Sequence, residues 1–171
     1  MTEQSIIKQI GKPAEIDLRK PKAIGSTGFY LKSFKTKNSE TETLKIESKC
    51  NFEKRTGGIL LRANYSNKLT AIPIPNENII GISLKRGKES INPFFLSPMW
   101  ILLKLGVSIL KARYFRFWLH EYSIDQMELN IETNEYEMEF IANGYLFERQ
   151  LSFFENLNCG NKLKTERKAS T

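Results

Sequence analysis

Between Met127 and Phe140 the chain alternates with period two. Met127, Leu129 and Ile131 fall on one side, with Glu128, Asn130 and Glu132 on the other. Beyond Thr133-Asn134, Tyr136, Met138 and Phe140 oppose Glu135, Glu137 and Glu139. Successive side chains of a strand point to opposite faces, so this pattern specifies a hairpin with one face on a core and the other in water. A helix would scatter the same apolar residues around its circumference. The chain is therefore expected to build its core from antiparallel strands.

Weaker repeats extend that expectation. Leu44, Ile46, Ser48, Cys50 and Phe52 alternate with Lys45, Glu47, Lys49 and Asn51, and Gly57-Gly58 turn the chain toward Ile59, Leu61, Ala63 and Tyr65. In KLTAIPIP, Pro73 and Pro75 cannot donate ladder hydrogen bonds, which places this strand at an edge or a strand end. Ile80, Ile82 and Leu84 form a further inward set, closed by Arg86-Gly87-Lys88, and Phe115, Phe117 and Leu119 suggest another strand. After Asn143-Gly144, Phe147, Leu151 and Phe154 fall on one stripe of a helix that the Asn158-Cys159-Gly160 run would stop. At 171 residues the chain fits a single domain. It is divided here into an arm of uncertain structure (1–27), the domain (28–157) and a basic polar tail (158–171), expected to fray.

One stretch does not fit an ordinary water-facing surface. Residues 93–119, PFFLSPMWILLKLGVSILKARYFRFWL, carry four basic residues and no acidic one, whereas residues 120–157 carry nine acidic residues and one basic. If 97–111 is one helix, Ser97, Lys104, Ser108 and Lys111 make a narrow polar stripe beside a broad apolar face that includes Trp100, Leu102 and Leu103. That face is expected to be covered by the domain's own core, by a partner subunit, or by a membrane interface. The segment, interrupted by Lys104 and Gly106, is short for a membrane span, which needs roughly 20 apolar residues.

The order of short strands, apolar insertion, further strands and closing helix resembles the pleckstrin-homology-like superfamily, in particular its bacterial PH-like and GRAM-like members. The resemblance spans about residues 43–157 and rests on GGILLRANYSNKLTAIPIPNENIIGISLKRG, EYEMEFIANGY and LFERQLSFFENL. It implies a mainly β fold with helices: a bent antiparallel sheet or split barrel with one open end plugged by the C-terminal helix. The apolar helical insertion at 93–111 departs from a minimal domain of that kind.

The residues point away from catalysis. His120 is the sole histidine, Cys50 and Cys159 lie far apart, and the acidic run decorates solvated strand faces, so no metal site, disulfide framework or cofactor is expected. GISLKRGK fails as a phosphate-binding loop because five residues separate its glycines and Glu89 stands where a hydroxyl belongs. The expectation is a non-enzymatic binding module. Its net charge of +7 and the absence of a signal-like N-terminus suggest a cytoplasmic protein, peripheral on the inner face of the membrane or bound to a protein partner or a second copy of itself. Lys85, Arg86, Lys88, Lys104, Lys111, Arg113 and Arg116 are the candidate contacts to anionic lipid. Trp100, Leu102, Leu103 and Trp118 are the candidate apolar anchors or interface. Two alternatives remain: single-stranded nucleic acid bound by residues 111–118, where Tyr114 and Trp118 would stack on bases, and a small apolar ligand held inside the bent sheet.

Overall fold

A computed structural model describes residues 2–15, 24–37, 44–157 and 160–167. The helix α1 (Glu3–Ile10) begins at Thr2, whose hydroxyl accepts the Ser5 N–H, and ends at Gly11, where φ is 79°. The strands β1 (Gly25–Thr36), β2 (Lys49–Lys54), β3 (Gly58–Tyr65) and β4 (Lys68–Pro75) follow in antiparallel succession. Next come β5 (Ile79–Arg86), the short β6 (Glu89–Ile91), two small helices α2 (Pro98–Lys104) and α3 (Ile109–Ala112), and β7 (Tyr122–Ile124). The predicted hairpin is present as β8 (Met127–Thr133) and β9 (Tyr136–Ala142), and the chain closes with α4 (Phe147–Glu155) and β10 (Leu163–Arg167).

Eight strands form one sheet in the order β10-β5-β8-β9-β1-β2-β3-β4, while β6 and β7 pair separately. In a flat sheet β5 and β4, six strand spacings apart, would lie about 29 Å from each other. They are nevertheless joined by the single turn Asn76–Asn78, a reach of roughly 14 Å for the four peptide steps from Pro75 to Ile79. The sheet must curl, and buried residues from β4 and β5 share one core. β1, twelve residues long, is the spine, pairing with β2 along one edge and β9 along the other. Its register shifts twice, at 26–29 and 31–33, and Gly28 at φ 88° supplies the conformation the first shift needs.

The concave face is filled by α4. Phe147, Leu151, Phe153 and Phe154 are buried against the strands, and Phe29, Phe52, Phe140 and Phe154 pack edge to face with centroids 5.2–6.3 Å apart. The outer faces of β8 and β9 carry the acidic run, matched by lysines on β1 and β5 and by Lys37 just past β1: Lys37–Glu132 at 2.9 Å, Lys32–Glu139 and Lys85–Glu128 both at 3.9 Å, and Lys35–Glu137 at 4.0 Å. The mainly β fold with helices, the closing helix on Phe147, Leu151 and Phe154, and the edge position of the proline-bearing β4 agree with the sequence reading.

Several expectations are corrected. The sheet is mixed, because β10 runs parallel to β5, and it is not a closed barrel among the described residues. Leu163–Arg167, expected to fray, is thus a strand, and Arg167 reaches Glu148 at 3.4 Å. Ile80 points outward, since a register shift at 79–81 turns Ile79 inward in its place. β2 starts only at Lys49: a turn at 45–48, with Glu47 at φ 69°, precedes it and leaves Ile46 exposed. Within the arm, α1 buries Ile6 and Ile10 against Leu60, and Arg55, 3% exposed, ties it down through Glu3 at 2.8 Å. The expected stop at Asn158-Cys159 lies outside the described residues.

Candidate functional site

Ser97 starts α2, its hydroxyl accepting the Trp100 N–H at 3.1 Å with Pro98 just inside the helix. The helix does not continue to 111 as expected. It ends at Leu105 and Gly106, where φ is 81° and a side chain would meet nothing within 4 Å, and α3 restarts beyond Ser108. The break folds the insertion on itself. Met99, Ala112, Tyr122 and Ile124 form a second small core with Leu102, Leu103, Val107 and Ile109 half-buried around it. Four buried residues cannot cover so apolar a segment.

What remains uncovered is concentrated. Of the eighteen large apolar or aromatic side chains exposed among the described residues, eleven lie between 94 and 119. Scattered exposed apolar residues are ordinary, but their concentration in one segment is not. Phe94, Phe95 and Leu96 form one lobe ahead of α2; Ile101, Leu105 and Leu110 lie on and between the small helices; Tyr114, Phe115, Phe117, Trp118 and Leu119 form the other lobe. The expected strand through Phe115, Phe117 and Leu119 is absent. Two 3-10 turns, Arg113–Phe115 and Leu119–Glu121, take its place and leave all three side chains in solvent, Leu119 at 77%. Leu96 adopts φ 63°, a left-handed conformation that costs an ordinary residue roughly 1–2 kcal/mol.

Glu121 holds the two lobes together. Its carboxylate, with no exposed surface although it lies just under the protein boundary, accepts the Ser97 hydroxyl at 2.6 Å and the N–H groups of Phe117 at 2.9 Å and Trp118 at 3.0 Å. Burial is the largest single influence and pushes its pKa up. Ser97 and the backbone N–H groups of Trp118, Phe117 and Phe94 together outweigh it, so the pKa falls below the ordinary 4.5. A polar relay also joins the insertion to β6, β7 and the 3-10 turn Gly144–Leu146 that precedes α4. The Tyr122 hydroxyl donates to Glu89 and accepts from Arg113 at 3.2 Å, while Arg116 donates at 3.2 Å to both the Tyr122 carbonyl and the Tyr145 hydroxyl.

The predicted anion contacts divide into two groups. Lys85 and Arg86 are committed to Glu128 and Glu89, and together with exposed Lys88 they line a hollow of about 410 Å³ that also contains Asp125 and Glu128. Lys104, Lys111, Arg113 and Arg116 belong to the apolar insertion: Lys104 lies 5.6 Å over the Trp100 ring, Lys111 is exposed, and the two arginines line a separate hollow with Tyr114 and Tyr145. Among the predicted anchors only Trp118 is exposed, at 59%. Trp100 is half-buried against Phe95, with centroids 5.1 Å apart, and Leu102 and Leu103 support the small core. The sequence reading missed Phe94, Phe95, Leu96, Leu105, Leu110 and Leu119 as exposed groups. Gly106 was the available signal, since a glycine in mid-run can end a helix and divide its apolar face.

No protein-family profile, curated protein sequence or solved structure matches this chain. Among the described residues no helix is long and apolar enough to cross a membrane.

Proposed function

We propose that the protein is a non-enzymatic, peripheral membrane-binding module that lays the 94–119 insertion into the interface of an anionic bilayer. The observation that carries this reading is the coincidence, in one segment, of eleven exposed apolar or aromatic side chains with basic residues and no acidic side chain outside the sealed Glu121 knot. A bilayer interface accepts aliphatic chains below the headgroups, aromatic rings at their level and cations beside lipid phosphates. The aliphatic residues also decide against nucleic acid as the partner, because Leu96, Leu105, Leu110 and Leu119 have no face to stack on a base. The strained Leu96 adds support, since local backbone strain clusters where a structure presents a side chain for use.

The scaffold is read as pleckstrin-homology-like. The run β5-β8-β9-β1-β2-β3-β4, set aside from β10, and a helix directly after the last antiparallel strand are the features that support this. On this reading the basic residues around Lys85 face away from the lipid contact or remain paired within the protein, and the insertion is the working surface.

The test is flotation with vesicles of phosphatidylcholine, with and without phosphatidylserine. Binding is expected to require phosphatidylserine, to weaken with salt, and to fall on Phe117→Ser or Leu119→Ser. Failure to float with either vesicle overturns the reading. Salt-sensitive binding of single-stranded RNA that survives Leu119→Ser would replace it with the nucleic-acid alternative.

A further inference from the structure

Arg113 and Arg116 stand out among the basic residues of the insertion. They line one hollow of about 300 Å³ with Tyr114 and Tyr145, and neither takes part in any ion pair of the described residues. Each is instead half-buried and held by neutral oxygens. Arg113 donates to the hydroxyls of Tyr122 at 3.2 Å and Tyr114 at 3.3 Å, and Arg116 to the Tyr145 hydroxyl and the Tyr122 carbonyl. The tyrosine contacts raise the Arg113 pKa further, that of Tyr114 first, so the cation is permanent.

Counting hydrogens shows what the hollow still offers. A guanidinium has five N–H groups, and these contacts use two of Arg113 and at most two of Arg116. Tyr145 spends its hydroxyl hydrogen on the Tyr122 carbonyl at 2.9 Å, whereas the Tyr114 hydroxyl accepts from Arg113 and keeps its own hydrogen to give. The hollow therefore presents two fixed cations and a phenol O–H, all donors. The nearest anion in the relay, Glu89, is occupied by the Tyr122 hydroxyl and by Arg86 at 3.8 Å.

We infer that this hollow binds the phosphate monoester headgroup of a membrane lipid, with Arg113 and Arg116 as paired clamps and the Tyr114 hydroxyl as a third donor. A monoester carries more than one negative charge near neutral pH and three terminal oxygens, which matches two cations and one O–H better than the single charge and two free oxygens of a phosphodiester. The exposed Phe115, Phe117, Trp118 and Leu119, next to the two arginines in the chain, select a phosphate attached to a lipid over a free one. The inference rests on the membrane reading above and adds headgroup preference to it.

Flotation with phosphatidylserine and phosphatidic acid vesicles, matched for surface charge, separates the two. Phosphatidic acid is expected to bind at least tenfold more tightly. Tyr114→Phe, which removes one O–H from a side chain 76% exposed, is expected to reduce the ratio of phosphatidic acid to phosphatidylserine binding at least threefold, and Arg113→Lys, which keeps the charge but loses the planar fork, to bring that ratio to one. Lys111→Gln is expected to weaken both lipids equally. Equal binding of the two lipids by the wild type, or a preference untouched in Tyr114→Phe and Arg113→Lys, overturns the headgroup site and leaves the membrane reading intact; failure to bind either vesicle overturns both. Calorimetric titration with inorganic phosphate alone should show no binding below the millimolar range. Tight binding there, without a phosphatidic acid preference, would assign the hollow to a soluble phosphate and overturn the lipid source.

Discussion

Replacing Glu121 with glutamine tests whether one carboxylate keeps the exposed lobes in register. The amide can keep an oxygen toward the Phe117 and Trp118 N–H groups, now 2.9 and 3.0 Å from Oε1, but without the charge. Hydrogen bonds to a charged group contribute about 1 kcal/mol more than neutral ones, so these two contacts lose about 2 kcal/mol. On the other side the amide N–H₂ faces the Ser97 hydroxyl, which donated to Oε2 at 2.6 Å and must turn over to accept, at a cost of at least another 1 kcal/mol. The expected loss is about 3 kcal/mol. It falls on the insertion, whose own core holds only four buried residues, and not on the large phenylalanine core. Amide hydrogen exchange read by NMR should therefore accelerate at Phe117 and Trp118 by roughly 100-fold, with β8 and β9 amides nearly unchanged. Unchanged exchange at Phe117 and Trp118 would refute the reasoning; so would equal acceleration throughout the sheet, which would show that the insertion is not a separate unit.

The same carboxylate gives a pH dependence. Because its folded pKa is lowered, its contribution is present above the unfolded value of 4.5 and is lost as pH falls through the lower folded value; amide protection across 94–121 should therefore decline in acid below 4.5, and less so in Glu121→Gln. Leu119→Ala removes three carbons from a side chain that the membrane reading immerses, up to about 2 kcal/mol of partitioning, and should weaken phosphatidylserine vesicle binding roughly 5- to 30-fold while leaving thermal stability unchanged. Phe52→Ala, in the centre of the aromatic cluster, should cost about 3–5 kcal/mol in urea unfolding. A Cβ at Gly144 would stand 2.0 Å from the Asp125 carbonyl oxygen, so Gly144→Ala should force the β7–β8 connection to move and lower the melting temperature. Burial pushes the Cys50 thiol up to about 12, so in a Cys159→Ser background it should resist a thiol reagent at pH 8 until the protein is unfolded.

Period-two patterning by itself determined the β8–β9 hairpin, the inward positions Ile59, Leu61 and Ala63 of β3, though not Tyr65, which is exposed, and the edge position of β4, because these depend on residues a few positions apart and on proline's missing donor. The stripe of Phe147, Leu151 and Phe154 likewise carried α4. The same rules misread Ile80, where a register shift reversed the faces, and the 115–119 segment, where apolar alternation was present but the chain forms two 3-10 turns and pairs with no strand among the described residues. Alternation states which residues can share a face; only partners elsewhere in the chain decide whether a ladder forms. The exposure of the insertion was also beyond local reading. Its composition marked an apolar, basic segment, but a helix with a broad apolar face satisfies the sequence equally well buried or bare. Gly106 turned the chain, the small core took only four side chains, and Glu121 reached back to Ser97, 24 positions earlier, to fix the lobes outward. That contact, and the meeting of Arg113 and Arg116 with Tyr145 from the far side of the β8–β9 hairpin, are set by how the sheet curls and where its ends meet, which no short-range pattern encodes.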